Sequence, residues 1–190
     1  MIRPKRMQHE RQSAFTRERQ LAFSLGELLL VTALLGILIG LGAQPLAQMV
    51  TQQRQQALLG QLRNSLQHAR AQALLLGESV EICGSAQATS CNDDWSSGWR
   101  LHRPGRDQAL QHHRLAHGEH LHWSGFTQRI RFLPNGTSPS GNGRFYQCRG
   151  ERLAWQLVLN RQGRLKTTTH KENAARDALC RSKSSHTPET

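Results

Sequence analysis

Acidic residues are scarce: Asp and Glu together number 13 against 25 Lys and Arg, a formal charge of +12 over 190 residues. That deficit favours anionic partners, nucleic acid or phospholipid headgroups, with a merely soluble basic surface as the alternative. Aromatics are few as well, at 5% of the chain, so a core must be assembled from aliphatic side chains with a few Trp anchors. Catalytic signatures are missing. There is no GxSxG, no Walker-type GK[ST] and no HExxH, and no pair of carboxylates stands at a readable catalytic spacing, so neither an enzyme nor a cofactor is expected. The four cysteines, Cys83, Cys91, Cys148 and Cys180, form no CxxC pair and sit beside no His at zinc-finger spacing. They read as disulfides in an oxidising compartment, against the alternative of four free cytosolic thiols. His112, His113, His117, His120 and His122 cluster in sequence, but without flanking carboxylate geometry they read as solvated strand and loop residues and not as a metal site.

What the chain does have is a basic leader and a long apolar run. Residues 1–22 carry Arg3, Lys5, Arg6, Arg11, Arg17 and Arg19 against Glu10 and Glu18. By the positive-inside tendency this flank stays in the cytoplasm while the remainder crosses. From Leu28 to Ala43 there is no charge, and counted from Phe23 the segment reaches about 30 Å as a helix, enough to span the hydrocarbon. An ordinary secretory signal is the competing interpretation, with "GLGAQ" as its cleavage site. Glu27 argues against it, because a lone carboxylate at the edge of a bilayer costs on the order of 3 kcal/mol unless it has a partner or a function.

The stretch "A-FSLGELLLVTALLGILIG" resembles the N-terminus of type IV prepilins and type II secretion pseudopilins. The resemblance implies cleavage between Ala22 and Phe23 by a prepilin peptidase, methylation of Phe23, and a helix retained in the mature protein. Ala22 stands where Gly is usual, and Gly26 where a larger apolar residue is usual. Glu27 would neutralise the terminal amine of a neighbouring subunit inside a filament, so that each buried charge offsets the other.

Beyond Pro45, expected to bend the helix, Leu59, Leu62, Leu66, Ala69, Ala73 and Leu76 recur in steps of three and four. They predict an apolar stripe laid on a globular head, with Gln61, Arg63, Gln67, Arg70 and Gln72 facing away and Gly77 as the stop. From Glu78 onward, "ESVEIC", "GWRLHR", "HLHWSG", "QRIRFLP", "GRFYQC" and "LAWQLVLN" read as short strands. Their order, with "DWSSGW", "RIRFLPNGTSPSG" and "LVLNRQGRLK", is similar to the FimT/GspH branch of minor pilins and pseudopilins over most of residues 23–170. The expected architecture is α+β: a long N-terminal helix, membrane-spanning in its first half, packed on a mostly antiparallel sheet head. The expected boundaries are a cleaved leader at 1–22, an assembly helix at 23–44, its amphipathic continuation at 45–77, a periplasmic head at 78–180 and a disordered tail at 181–190.

Four cysteines permit three pairings. The expected one joins Cys83 to Cys91, closing about nine residues, and Cys148 to Cys180, pinning the C-terminal arm. Trp95 and Trp99 are expected to anchor the core, and Asn135-Gly-Thr, though it matches a glycosylation acceptor, belongs to a loop. The end of the head concentrates positive charge: Arg161, Arg164, Lys166, Lys171, Arg176, Arg181 and Lys183 stand against Glu172 and Asp177. Such a cluster can neutralise phosphates without reading bases, although a polar last strand with a solvated tail would look the same. FimT-like proteins of natural transformation use a Gly-Arg-x-Arg element, to which Gly163, Arg164 and Lys166 correspond, with Lys replacing the bidentate second Arg. The resemblance therefore implies a minor pilin in the bacterial inner membrane, with other pilins and non-specific double-stranded DNA as partners. Its alternative is a secretion pseudopilin contacting other pseudopilins or cargo.

Overall fold

The computed structural model describes residues 24–184. The leader, Ala22, Phe23 and residues 185–190 lie outside the described residues. The chain divides into two compact units at Ala47/Gln48.

Helix α1 (Leu25–Leu76) begins where Ser24 accepts hydrogen bonds from the Glu27 amide, through its hydroxyl at 3.2 Å and its carbonyl at 3.0 Å. Ser at the start of a helix satisfies an orphan donor, and a carboxylate three residues later suits the positive end of the helix dipole. In the first unit the apolar side chains of α1 cover nothing: Leu25, Leu28, Leu29, Leu30, Ile37 and Ile39 are all exposed. Among the described residues no helix is long and apolar enough to cross a membrane. The unbroken stretch of described side chains at the start of α1 ends at Gly40, short of the roughly 20 residues a span needs. Part of the expected 23–44 segment lies outside them.

In the second unit α1 becomes amphipathic. Leu58, Leu59, Leu62, Leu66, Ala69 and Ala73 are buried, and each fully covered Leu contributes roughly 1.5–3 kcal/mol. Leu76 departs from the expected stripe, being 42% exposed, and Leu58 takes part instead. Gly77, at φ +64°, ends the helix in the left-handed conformation that glycine adopts without a Cβ penalty.

The stripe lies against two antiparallel sheets. The first has the order β3-β2-β1-β5, from β1 (Val80–Gly84), β2 (Gly98–His102), β3 (Ala109–Arg114) and β5 (Ile130–Phe132). The second is β4-β6-β7-β8, from β4 (His122–Gly125), β6 (Gly143–Arg149), β7 (Arg152–Leu159) and β8 (Leu165–Thr167). Period-two alternation sends Phe145, Trp155, Leu157 and Leu159 to the core with Trp95, Trp99, Ile130 and Phe132. A smaller cluster, Tyr146, Leu153 and Cys180, lies apart from that core, where helices α2 (His170–Ala174) and α3 (Ala178–Ser184) pack on β7. The disulfides are Cys83–Cys91 and Cys148–Cys180, and the second staples this arm to β6. Helix α3 continues to Ser184, into the segment expected as tail.

Candidate functional site

The register of the second sheet places residues side by side that are far apart in sequence. Ser124 pairs with Arg144, Arg144 with Val158, and Val158 with Lys166. Because side chains alternate across a strand, this row shares the face opposite the core. The bond from Arg144 Nη1 to Gln156 Oε1 (3.1 Å), two residues along β7 from Val158, agrees with that face. One step further, the amide of Phe126 donates to the Asn142 carbonyl, and the amide of Asn160 to the Arg164 carbonyl. A groove of about 380 Å³ follows the same edge, lined by Val158, Asn160, Arg164, Leu165 and Lys166.

The β7–β8 turn holds most of the residues singled out in the sequence. The Gly163 amide donates to the Asn160 carbonyl (2.9 Å), and the Arg164 amide to Asn160 Oδ1 (2.9 Å). Gly163, at φ +74°, is buried, and a Cβ there would overlap the Gly136 carbonyl oxygen. Its own carbonyl accepts from Arg70 Nη1 at 3.2 Å, while the Arg161 carbonyl accepts from the Ser138 amide at 2.8 Å. Gly163 is thus a junction between the helix, the 133–138 turn and the sheet. Arg70, expected on the solvent face of α1, is half-buried because it closes that junction.

Arg161 and Arg164 are exposed, and among the described residues no carboxylate pairs with either guanidinium. Lys166 differs, because its Nζ lies 2.6 Å from Glu172 Oε1. Glu172 also completes a capping box with Thr169 at the start of α2. The Lys166 bond, followed by the Thr169 amide and hydroxyl, holds the Glu172 carboxyl down to about 2. Lys171 is exposed on α2 beside it. Arg144 is the cation the linear sequence did not flag; it lies outside the C-terminal charge run, and only strand pairing reveals it. Burial, and then the nearby Arg176 charge, lower its proton affinity.

The scarce acids gather elsewhere. Glu78 faces Arg103 (3.6 Å) and Arg106 (3.7 Å), and Asp93 accepts from Arg129 Nε at 2.8 Å. The buried Glu81 meets Arg131 at 3.0 Å and His102 at 3.5 Å. The hydrogen bond to His102 leads the interactions that hold its carboxyl below the usual range, outweighing desolvation. Glu81 thus pairs with Arg131 and His102 of the first sheet, whereas among the described residues Arg161 and Arg164 beside the second sheet have no carboxylate partner.

The other residues singled out are dispersed. Glu27 is exposed in the first turn of α1. Trp95 and Trp99 are buried, Trp99 with its ring stacked 4.3 Å from His113. Among the described residues, the grouping with metal-ligand proximity is Cys83, Cys91 and His102, and its two sulfurs are joined in the disulfide. His120 precedes β4 and His122 opens it.

An amphipathic helix laid on antiparallel sheets, with a disulfide-stapled C-terminal arm, defines the α+β head of a pilin-like protein. The family model described as type II transport protein GspH matches residues 59–163, more than half the chain, and the chain belongs to that family. Among solved structures the fold is similar to the type IV minor pilin FimU of Pseudomonas aeruginosa (strain PAO1). That match has 18% identity and a TM-score of 0.51 over 64% of this chain and 92% of FimU. A second crystal form of FimU matches at 19% identity and a TM-score of 0.48, over 60% and 92%. No curated protein is significantly similar in sequence.

Proposed function

We propose that the protein is a minor pilin of a type IV pilus, anchored in the inner membrane and assembled with other pilins through α1. Its head binds DNA without sequence preference. The apolar side chains of α1 before residue 40, which cover nothing within their own unit, need lipid or neighbouring helices to bury them. Processing by a prepilin peptidase between Ala22 and Phe23 would free an amine at the start of this helix, close in sequence to Glu27.

The DNA reading is carried by one observation: strand register brings Arg144 to the face that also holds Lys166 and the Arg164 turn, and Arg161 and Arg164 have no acidic partner among the described residues. Guanidinium groups on a surface suit phosphate oxygens and read no bases. The test is fluorescence anisotropy of the full chain in detergent with a labelled random-sequence duplex over a salt series. Affinity should fall steeply with salt, and the double substitution Arg144→Gln, Arg164→Gln should reduce the log–log slope by about 1 per lost contact. Binding that keeps its strength and slope in the double variant refutes the DNA assignment. The description of the matching family favours a second reading, a type II secretion pseudopilin, in which the same helix would assemble with other pseudopilins.

A further inference from the structure

Phe126 is the one mostly exposed large aromatic among the described residues, 72% accessible in the connection after β4. Leaving that ring in water forgoes roughly 1.5–3 kcal/mol of burial. Its backbone is tied down, since its amide donates to the Asn142 carbonyl at 3.4 Å and extends the β4–β6 ladder by one step. Trp123, Gly125 and Gly143 share the inner face, where a Cβ on Gly143 would lie 2.5 Å from Trp123 Cη2 and Trp123 packs on Phe145. Phe126 stands one step beyond Ser124 on this ladder, in line with Asn142, Asn160 and Arg164. The guanidinium carbon of Arg161 stands 5.8 Å from the centre of its ring, and the Arg161 carbonyl is held by the Ser138 amide. Phe126 and Arg164 thus mark opposite ends of one row across four strands, about 14 Å apart at ~4.8 Å per strand.

A planar ring flanked by cations is the arrangement that binds an unpaired base with its phosphates alongside. In a duplex the faces of interior bases are covered by their neighbours, so such a ring gains nothing there. Resting on the DNA reading above, we propose that Phe126, with Arg161 beside it, is a base-stacking platform, and that the face binds single-stranded DNA in preference to duplex. One base lies on the ring while the following phosphates cross the sheet towards Arg144 and Arg164.

The experiment compares an oligothymidylate of roughly 12 nucleotides with a duplex of the same length, each binding the full chain in detergent. Phe126→Ala should weaken the single strand about 5- to 150-fold, the equivalent of one lost base stack, and leave the duplex unchanged. Phe126→Trp should restore affinity and show fluorescence quenched by the single strand alone. Phe126→Ala weakening neither form while Arg164→Gln weakens both would overturn the platform and leave the DNA reading standing. Equal weakening of both forms would overturn the single-strand preference. Binding of neither form by the native chain would overturn both claims. Intact DNA binding with lost co-assembly in Phe126→Ala would assign the ring to a contact between subunits and overturn the platform.

Discussion

The Gly163→Ala substitution separates the fold's use of the Gly-Arg-x-Lys turn from its charge. Gly163 has φ +74°, and placing a Cβ in that conformation costs roughly 1–2 kcal/mol. The added methyl would overlap the Gly136 carbonyl oxygen and lie 3.4 Å from Arg70 Nε, so the turn must move. Movement loosens the bonds from Arg70 Nη1 to Gly163 (3.2 Å) and from the Ser138 amide to Arg161 (2.8 Å), each worth about 1 kcal/mol. The expected loss is therefore about 2–4 kcal/mol, or a fall of roughly 1–2 M in the urea midpoint. Gly77→Ala is the control. Gly77 has a similar φ of +64° with open space around it, and so should cost only the conformational part. All four tryptophans lie in the second unit, so their fluorescence reports unfolding of the head in the full chain. A Gly163→Ala midpoint no lower than that of Gly77→Ala refutes the three-way junction.

Replacing Cys148 and Cys180 with Ser should cost roughly 3–4 kcal/mol, about 1 kcal/mol more than replacing Cys83 and Cys91, because the enclosed loops span 32 and 8 positions; urea unfolding of the two double variants checks the order. Glu172 has its carboxyl held near about 2, so its contribution is fully present above the unfolded value of about 4.5 and is lost as pH falls towards 2; NMR titration should find that low midpoint and see it rise in Lys166→Gln. Glu81, also lowered, loses its stabilising contribution in the same direction, so the advantage of the native head over Glu81→Gln in urea unfolding should be full at neutral pH and shrink as pH falls below about 4.5. Glu27→Ala should abolish co-purification with partner pilins while leaving head unfolding unchanged, and undiminished co-assembly would remove Glu27 from subunit contacts.

Periodicity made much of the head legible. The 3.6-residue stripe from Leu59 to Ala73 and six of the eight strands stand in the linear pattern, because burial on one face imposes it. β3, "ALQHHR", was hidden: it is an edge strand, half-buried along its length, and carries no alternation of apolar and polar residues. β8 is three residues long, too short for a period to show. Within the candidate site, the local charge run revealed Arg161, Arg164 and Lys166. Arg144 and Phe126 join them only through pairing between strands, which no window along the chain contains. The pairing of Lys166 with Glu172 leaves no trace along the chain for a related reason, since it depends on α2 folding back beside β8.

The Arg70 guanidinium has a mechanical consequence. A polymer gripped at Arg164 would tug on a turn whose neighbouring carbonyl is fastened directly to α1. Traction would thus divide between two routes, one through this side chain into α1 and one through Asn160 into the end of β7.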